Sequence, residues 1–579
     1  MFCRHFEFQE SSSWIKTRAF FLIFFILVLS LLITGCNQSI TISTSSAVQT
    51  ILPASPEPSK TIFSPIHTTP PIPVTPTTQS PILVWLPPYL PEKLRSAITL
   101  PVGFDLAATP MEAEALLGVG EENPPASQWV YTLVAPFPTI TDGVTSEALR
   151  GAWEGEPVST FNGEPLLMDE SPLDVLTAFW EPPAPQAVQV LPADELLDYA
   201  WSNRPSWAIV PFDVLEPRWK VLAIDGQSPV RKDFDSSSYP LNVPFTFSGL
   251  SDIQVDALSL PATNRDASRL TTVVMTGVTA MVRATAYAME LEGVTYPAQD
   301  IGSILVEADI THISNEIPFS PDCPYPTPTM ESLVFCSRPG YIDLLKAVGT
   351  DIVELTGDHF MDYGPEGTLF TLQMYQDLGW KYYGGGANAD EARQPVLVEN
   401  NGNRLAFLGC NVGCQVKNEI PCDAIATDSH PGASQCDLDQ ISTEISSLKE
   451  QDYQVIFTFQ HREYYTYTTE PILAGDFGRV AAAGATIVSG SQAHQSHGFA
   501  FEDGSFIHYG LGNLFFDQFH YCFNYACDDA FIDRHVFYAG NYISTELITI
   551  HFVDFARPRL MTSEEREQFL DIIFNASGW

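Results

Sequence analysis

The nine residues "DIVELTGDH", Asp351 to His359, decide how the second half of this chain is read. Ile352, Val353 and Leu355 make an apolar run of strand length, which then stops abruptly in Gly357, Asp358 and His359. A short apolar run bounded by turn residues reads as a buried strand. Six further runs repeat the pattern: "TTVVMTG" from Thr271, "ADITHISNE" from Ala308, "RLAFLGCN" from Arg404, "YQVIFTFQH" from Tyr453, "ATIVSGSQAH" from Ala485 and "SFIHYGLGN" from Ser505. When successive buried strands finish in polar groups, those groups gather at one sheet edge, where α/β folds place their ligands. Between the strands, "DLDQISTEISSLKEQ" puts Leu438, Ile441, Ile445 and Leu448 on one helical face behind a capping Asp437.

The first half, from about Ile82, also alternates strands with helices. Leu149 and Trp153 in "TSEALRGAWEG" share a helical face, as do Leu196, Leu197 and Ala200 in "ADELLDYAW". The expectation is α/β throughout, with domains over 82–255 and 268–560 and a helical tail over 561–579. About 500 residues of such sequence suit two domains better than one.

The N-terminus reads as an export signal over 1–35. Lys16 and Arg18 precede an apolar run, Ala19 to Ile33, that fits a signal core of about 7 to 15 residues better than a span of about 20. Ile33-Thr34-Gly35-Cys36 then resembles a bacterial lipobox, which implies a lipid on Cys36; an uncleaved membrane anchor is the competing reading. Residues 36–81 are rich in Ser, Thr and Pro and read as an extended disordered tether. Both readings make the folded part extracytoplasmic. The formal net charge of −42 argues against nucleic acid as a partner, so any polyanion must be met by local cations such as Arg283, Arg393, Arg462 and Arg534.

Apart from Cys3 and Cys36, the cysteines all lie between Cys323 and Cys527. Export favours disulfides over zinc, since no paired-cysteine or His-His ligand spacing is present. Neighbours suggest Cys323 with Cys336, Cys410 with Cys414, Cys422 with Cys436 and Cys522 with Cys527, although sequence alone leaves the connectivity open.

Two resemblances sharpen these readings. "VYTLVAPFPTITDGVTSEALRGAWEG", "AIVPFDVLEPRWKVLAIDGQSP" and "YPLNVPF" resemble extracytoplasmic solute-binding proteins of the phosphate type, which implies either a ligand site or a spacer. The stretch Asp351 to Asn411, with "AGATIVSGSQAH" and "IHYGLGNLFFDQ", is similar to the CapA family of capsule or poly-γ-glutamate synthesis proteins, whose domain belongs to the calcineurin-like metallophosphoesterase superfamily. The resemblance implies a C-terminal metallophosphoesterase-like α/β sandwich and a lipoprotein working on an acidic surface polymer or with the machinery that makes it. A non-catalytic solute-binding or scaffold lipoprotein is the rival.

A two-cation centre of that superfamily needs carboxylates, an amide oxygen and neutral imidazoles converging on one point. This chain departs from the set. Val278 stands where the family has Asp, and Gln492-Ala493-His494 where it has His-Pro-His. The residues implied as possible ligands of Mn, Fe or Zn are Glu316, Asp358, His359 and His494. Asp358, His359, His494 and Gln492 are the candidates for chemistry, and Asn513, Gln460, His461 and Arg283 for contacting substrate. Alternatively these groups form a satisfied polar network that only fixes the strand ends. His312 and His508 alternate with apolar neighbours and read as core histidines. "GGGAN", Gly384 to Asn388, reads as a tight turn.

Overall fold

The computed structural model describes residues 80–120, 125–329, 332–412, 424–518, 522 and 527–579. The export signal, most of the tether, Cys36, Cys414 and Cys422 lie outside these residues. Among the described residues no helix is long and apolar enough to cross a membrane.

All seven runs of the second half form strands. One sheet of nine described strands has the order Lys381–Tyr383, Ile352–Glu354, Ile310–Asn315, Leu270–Thr276, Asp529–Tyr538, Asn541–Phe552, Pro558–Leu560, with Val278–Thr279 bridging Ile310–Asn315 to Asn513–Phe515. A second sheet of six runs Val396–Asn400, Asn403–Asn411, Gln454–Gln460, Ile487–Gly490, Ser505–His508, Phe499–Glu502. Side chains alternate across a strand, and the alternation sets the layers. Val273 and Met275 face Phe407, Ile456 and Phe506 across the gap between the sheets. Val274, Ile313 and Val353 turn outward under the helices Arg283–Glu292, Ile342–Ala347 and Gly364–Leu378. On the far side Ala406, Val455 and Phe457 pack under Leu438–Lys449 and Pro471–Ala482. The result is a helix–sheet–sheet–helix sandwich in which each buried large side chain contributes roughly 2 kcal/mol.

The capped helix forms as its sequence dictates: the Asp437 carboxylate accepts from the Gln440 N–H at 3.1 Å, and Ile441, Ile445 and Leu448 are buried. In the first half Leu149 and Trp153 are buried on Ser146–Trp153, and Leu196, Leu197 and Ala200 on Leu196–Ser202. These helices flank a mixed sheet of nine described strands centred on Ser127–Pro136.

The two halves belong to one unit, Thr78–Trp579, and they share cores. Leu270, Val536 and Ile543 of the sandwich enter the first-half core. In the other direction Phe137 meets Phe499, Phe501, Phe506 and Trp579 edge-on at 5.3 to 5.8 Å. The C-terminal segment is a helix, Ser563–Ala576, whose Phe569, Leu570, Ile573 and Phe574 join the same cluster.

Two of the neighbour pairings, Cys410 with Cys414 and Cys422 with Cys436, are overturned by a single bond between Cys410 and Cys436. Cys323–Cys336 and Cys522–Cys527 are bonded, but Cys410 joins Cys436, not Cys414. Backbone pairing explains it: Asn411 bridges Gln435 and its carbonyl accepts the Cys436 N–H at 3.3 Å, which sets residues 410 and 436 side by side.

The interior also holds histidines. His312 bonds Tyr383 Oη at 2.8 Å, His508 bonds Asp533 at 2.6 Å, His535 bonds Thr545 Oγ1 at 2.8 Å and His497 bonds the Thr466 carbonyl at 2.5 Å. His312 and His508 are thus core histidines. Burial lowers His312 to about 3 and both His497 and His535 to about 4. The unfolded chain protonates these rings near pH 6.5, whereas the folded chain keeps them neutral until about pH 4. Between those values the unfolded state binds more protons, and stability falls as pH falls, by about 1.4 kcal/mol per pH unit for each ring. Urea unfolding between pH 7 and 4 should therefore show stability dropping steeply, with the slope of His535→Phe shallower by about one proton; an unchanged slope would contradict the assignment.

Candidate functional site

The site grows from a close approach of two chain segments. Gly357 packs directly on the backbone of Glu316, and a side chain at 357 would collide with the Glu316 carbonyl. This contact sets Asp358 next to Glu316. Into the same space runs Gln460, the last residue of Gln454–Gln460, paired in register with Asn411. Its amide Nε2 donates to Glu316 Oε1 at 3.2 Å and to Asp358 Oδ1 at 3.1 Å, which uses both of its protons. Burial and the neighbouring Asp358 carboxylate hold the Glu316 carboxyl well above its usual range.

Behind this bridge the polar groups continue inward. Ser491 Oγ lies 3.4 Å from Gln460 Oε1 and donates to Glu354 Oε1 at 2.6 Å. Glu354 also accepts from Thr356 Oγ1 at 2.5 Å, and burial raises its pKa despite these bonds. The Ser491 hydroxyl is thereby committed to a carboxyl acceptor, with no imidazole to activate it as a nucleophile.

The two imidazoles flank an aromatic pair. His359 packs on Phe335 at 4.6 Å and His494 on Phe516 at 5.0 Å, while the Arg283 guanidinium covers both phenyl rings at 4.5 and 5.4 Å. Arg283 holds this position from a backbone φ of 49°, sparsely populated for a long side chain, and donates to Gln518 Oε1 at 3.0 Å. His359 Nδ1 bonds Asp362 Oδ2 at 2.7 Å. Burial opposes its charge, but the bond to Asp362 and the carboxylates of Asp358 and Glu316 outweigh burial and raise it to about 9.

His494 has a defined tautomer. Asn513 Nδ2 donates to the carbonyls of His494 and Cys527 at 3.2 and 3.0 Å, so Asn513 Oδ1, 2.9 Å from His494 Nδ1, must be the acceptor. Nδ1 then carries the proton. Nε2 is left as an acceptor 3.8 Å from Glu463 Oε1, and burial lowers the ring's pKa and keeps it neutral.

The structure therefore gathers Glu316, Asp358, His359, Gln460, His494, Asn513 and Arg283 into one largely buried polar cluster, the candidate pocket of this fold. Gln492 is buried with Oε1 lacking a hydrogen-bond partner among the described residues. His461 goes elsewhere: its Nε2 bonds Asp476 of Pro471–Ala482 at 2.9 Å. Neighbours on a strand point to opposite faces, so with Gln460 turned into the pocket His461 turns out. Asp362, Glu354 and Gln518 were not among the expected residues. Asp362 could have been found from its place three residues after His359, whereas Gln518 reaches Arg283 only through tertiary packing.

A two-cation centre does not fit this arrangement. Val278 is sealed among Ala280, Val282, Ile317, Phe335 and Phe516, and an amide N–H group lies between the two carboxyls where a cation would draw their oxygens together. Among the described residues the group that brings three such donors within 4.8 Å is Asp528, Asp529 and His551, which shares no residue with the pocket.

Fold and site together describe an α/β sandwich with a polar pocket at its strand ends, and comparison gives it a class. Residues 272–518 match the family described as bacterial capsule synthesis protein PGA_cap. Among curated proteins it is similar to the capsule biosynthesis protein CapA of Bacillus anthracis, 29% identical over 182 residues, which is 31% of this chain and 43% of that protein. The match thus spans less than half the length of that relative. Among solved structures, a 5'-nucleotidase precursor from Thermus thermophilus aligns over 53% of this chain and 58% of its own, at 13% identity and a TM-score of 0.30. An ABC-type phosphate transport receptor from Vibrio cholerae aligns over 25% and 71%, at 13% identity and a TM-score of 0.20. Both of these likenesses are loose.

Two outcomes are expected at the pocket. Gln460→Ala strips the donor shared by the buried Glu316 and the partly buried Asp358 and should cost about 2 kcal/mol in urea unfolding, in keeping with leaving a buried acceptor unsatisfied. After equilibration with Mn²⁺ or Zn²⁺ and desalting, elemental analysis should find the same metal content in the parent, His359→Ala and His494→Ala; an equivalent of metal lost in either variant would put a cation in the pocket.

Proposed function

We propose that this chain is an extracytoplasmic protein of capsule synthesis, held to the membrane by a lipid on Cys36, whose pocket binds an amide-linked acidic surface polymer such as poly-γ-glutamate without cutting it. The family match over 272–518 supports the capsule role, and the apolar run leading to Ile33-Thr34-Gly35-Cys36 supports the anchor. The observation that carries the binding reading is the Gln460 amide, whose two protons are spent on Glu316 and Asp358. A carboxyl pair bridged by an amide in this way leaves the space between its oxygens filled by N–H donors and not by a cation.

What the pocket has left to offer is acceptors: Nε2 of His494 and, in the same loop, Oε1 of Gln492. Acceptors suit a ligand that brings donors, and a γ-linked glutamate chain carries an amide N–H in every repeat. Its carboxylates need local positive charge against a chain of −42, and Arg283 supplies one within the cluster.

The test compares poly-γ-glutamate with polyacrylate of matched length and charge, a polyanion without amides, on a biosensor carrying the full chain. Poly-γ-glutamate should bind and polyacrylate should not, and His494→Ala should weaken binding at least about tenfold, or 1.4 kcal/mol. Equal retention of both polymers, or release of glutamate from the bound chain, would refute the reading.

A further inference from the structure

A second site lies between the two halves, away from the pocket above and sharing none of its residues. A cavity of about 250 Å³ opens between Phe137, Lys220 and Arg231 on one side and Glu546, Ile548 and Arg566 on the other. At about 30 Å³ of liquid volume per water it has room for roughly eight. Interfaces that serve packing alone close to the density of a protein interior, and this one does not.

Its charges are unequally matched. Asp142 is shared by two cations: Lys220 Nζ at 2.7 Å, and Arg566 through Nε at 2.7 Å and Nη2 at 2.8 Å. Glu546 is likewise shared, by Arg231 Nε at 2.9 Å and Arg534 Nη1 at 3.1 Å. Glu307, 3.5 Å from Arg534, is the third carboxylate in contact with the group. Along the wall itself three cations, Lys220, Arg231 and Arg566, meet two carboxylates, Asp142 and Glu546, in a chain whose overall charge is strongly negative. Burial lowers the Lys220 ammonium to about 8, so it keeps its charge at neutral pH.

Ser228 adds a directional group. It is 3% exposed, it lines the cavity, and its hydroxyl has no hydrogen-bond partner among the described residues. A buried hydroxyl without a partner costs free energy unless something accepts its proton. Most of the remaining wall is apolar, with Val221, Leu547, Leu570 and Phe574 beside Phe137 and Ile548, and Thr139, Thr545 and Thr549 interrupt it.

We propose that this cavity is a binding site for a small organic anion with a short apolar body, its charged end toward Arg231 and Ser228 and its tail against Phe137 and Phe574, since the three N–H donors of Lys220 are already taken by Asp142 and the carbonyls of Thr139 and Ile140. The size and balance suit a chain of about eight non-hydrogen atoms, comparable with a medium-chain carboxylate. Because each half supplies part of the wall, the bound anion bridges them, and occupancy of the cavity stabilises their junction by mass action.

Calorimetric titration of the full chain with hexanoate, with its neutral isostere hexanamide and with inorganic phosphate tests the site. Hexanoate should bind with one equivalent, at least tenfold more tightly than hexanamide and than phosphate. Arg231→Gln, at a partly exposed position, should weaken hexanoate at least fivefold. Ser228→Leu, which fills the cavity with apolar volume, should abolish binding while leaving the melting temperature near that of the parent; should that variant fail to fold, Arg231→Gln carries the test alone. The proposal is overturned by no heat of binding up to roughly 10 mM hexanoate, by hexanamide or phosphate binding as well as hexanoate, or by undiminished binding in a folded Ser228→Leu or Arg231→Gln.

Discussion

Two carboxyl groups taken out of water side by side are the arrangement around which the sandwich's working edge is built. Burying ionised groups costs several kcal/mol each unless they are neutralised or hydrogen-bonded. Here burial and the neighbouring Asp358 push the Glu316 pKa upward, and Gln460 gives one N–H to each partner. The bridge requires that Gln454–Gln460 end at its last residue in register with Asn411 and that no side chain stand at Gly357. Glu354 and Ser491 then take up the polar groups behind the amide.

The same demand for satisfied polar groups runs through the middle of the molecule. Between two apolar faces lie His312, His508 and His535, each tied to a hydroxyl or a carboxylate. Such a layer specifies how the two sheets stack, since sliding them would orphan several groups at once. Where the sandwich meets the first half, packing is instead aromatic, with Phe137 set into the cluster around Phe499 and Trp579. The mismatch between that dense contact and the charged cavity beside it separates a structural interface from a site able to hold a ligand.

Much of the fold was legible because local patterns carried it. The seven apolar runs became strands, the stripe behind Asp437 became a capped helix, and the polar tufts did converge on one edge. The site was legible as a set of residue types and less so as an arrangement. Gln460 and His461 look equally eligible along the chain, and only the alternation of one strand against its neighbours decided which entered the pocket. The pairing of Cys410 with Cys436 was hidden for a similar reason: residues far apart in sequence were brought together by a backbone bridge at Asn411 and Gln435.

By itself, then, the sequence determined the periodicities, the capping residues and the chemical inventory, because these rest on nearest neighbours along the chain. Val278 in place of a carboxylate already denied one metal ligand. Only the tertiary structure decided that an amide would occupy the space between Glu316 and Asp358, that His494 would present a bare Nε2, and that three cations would meet two carboxylates along the cavity at the junction of the halves. Those outcomes depend on distances between segments that meet only when the sheets stack, and no local pattern encodes them.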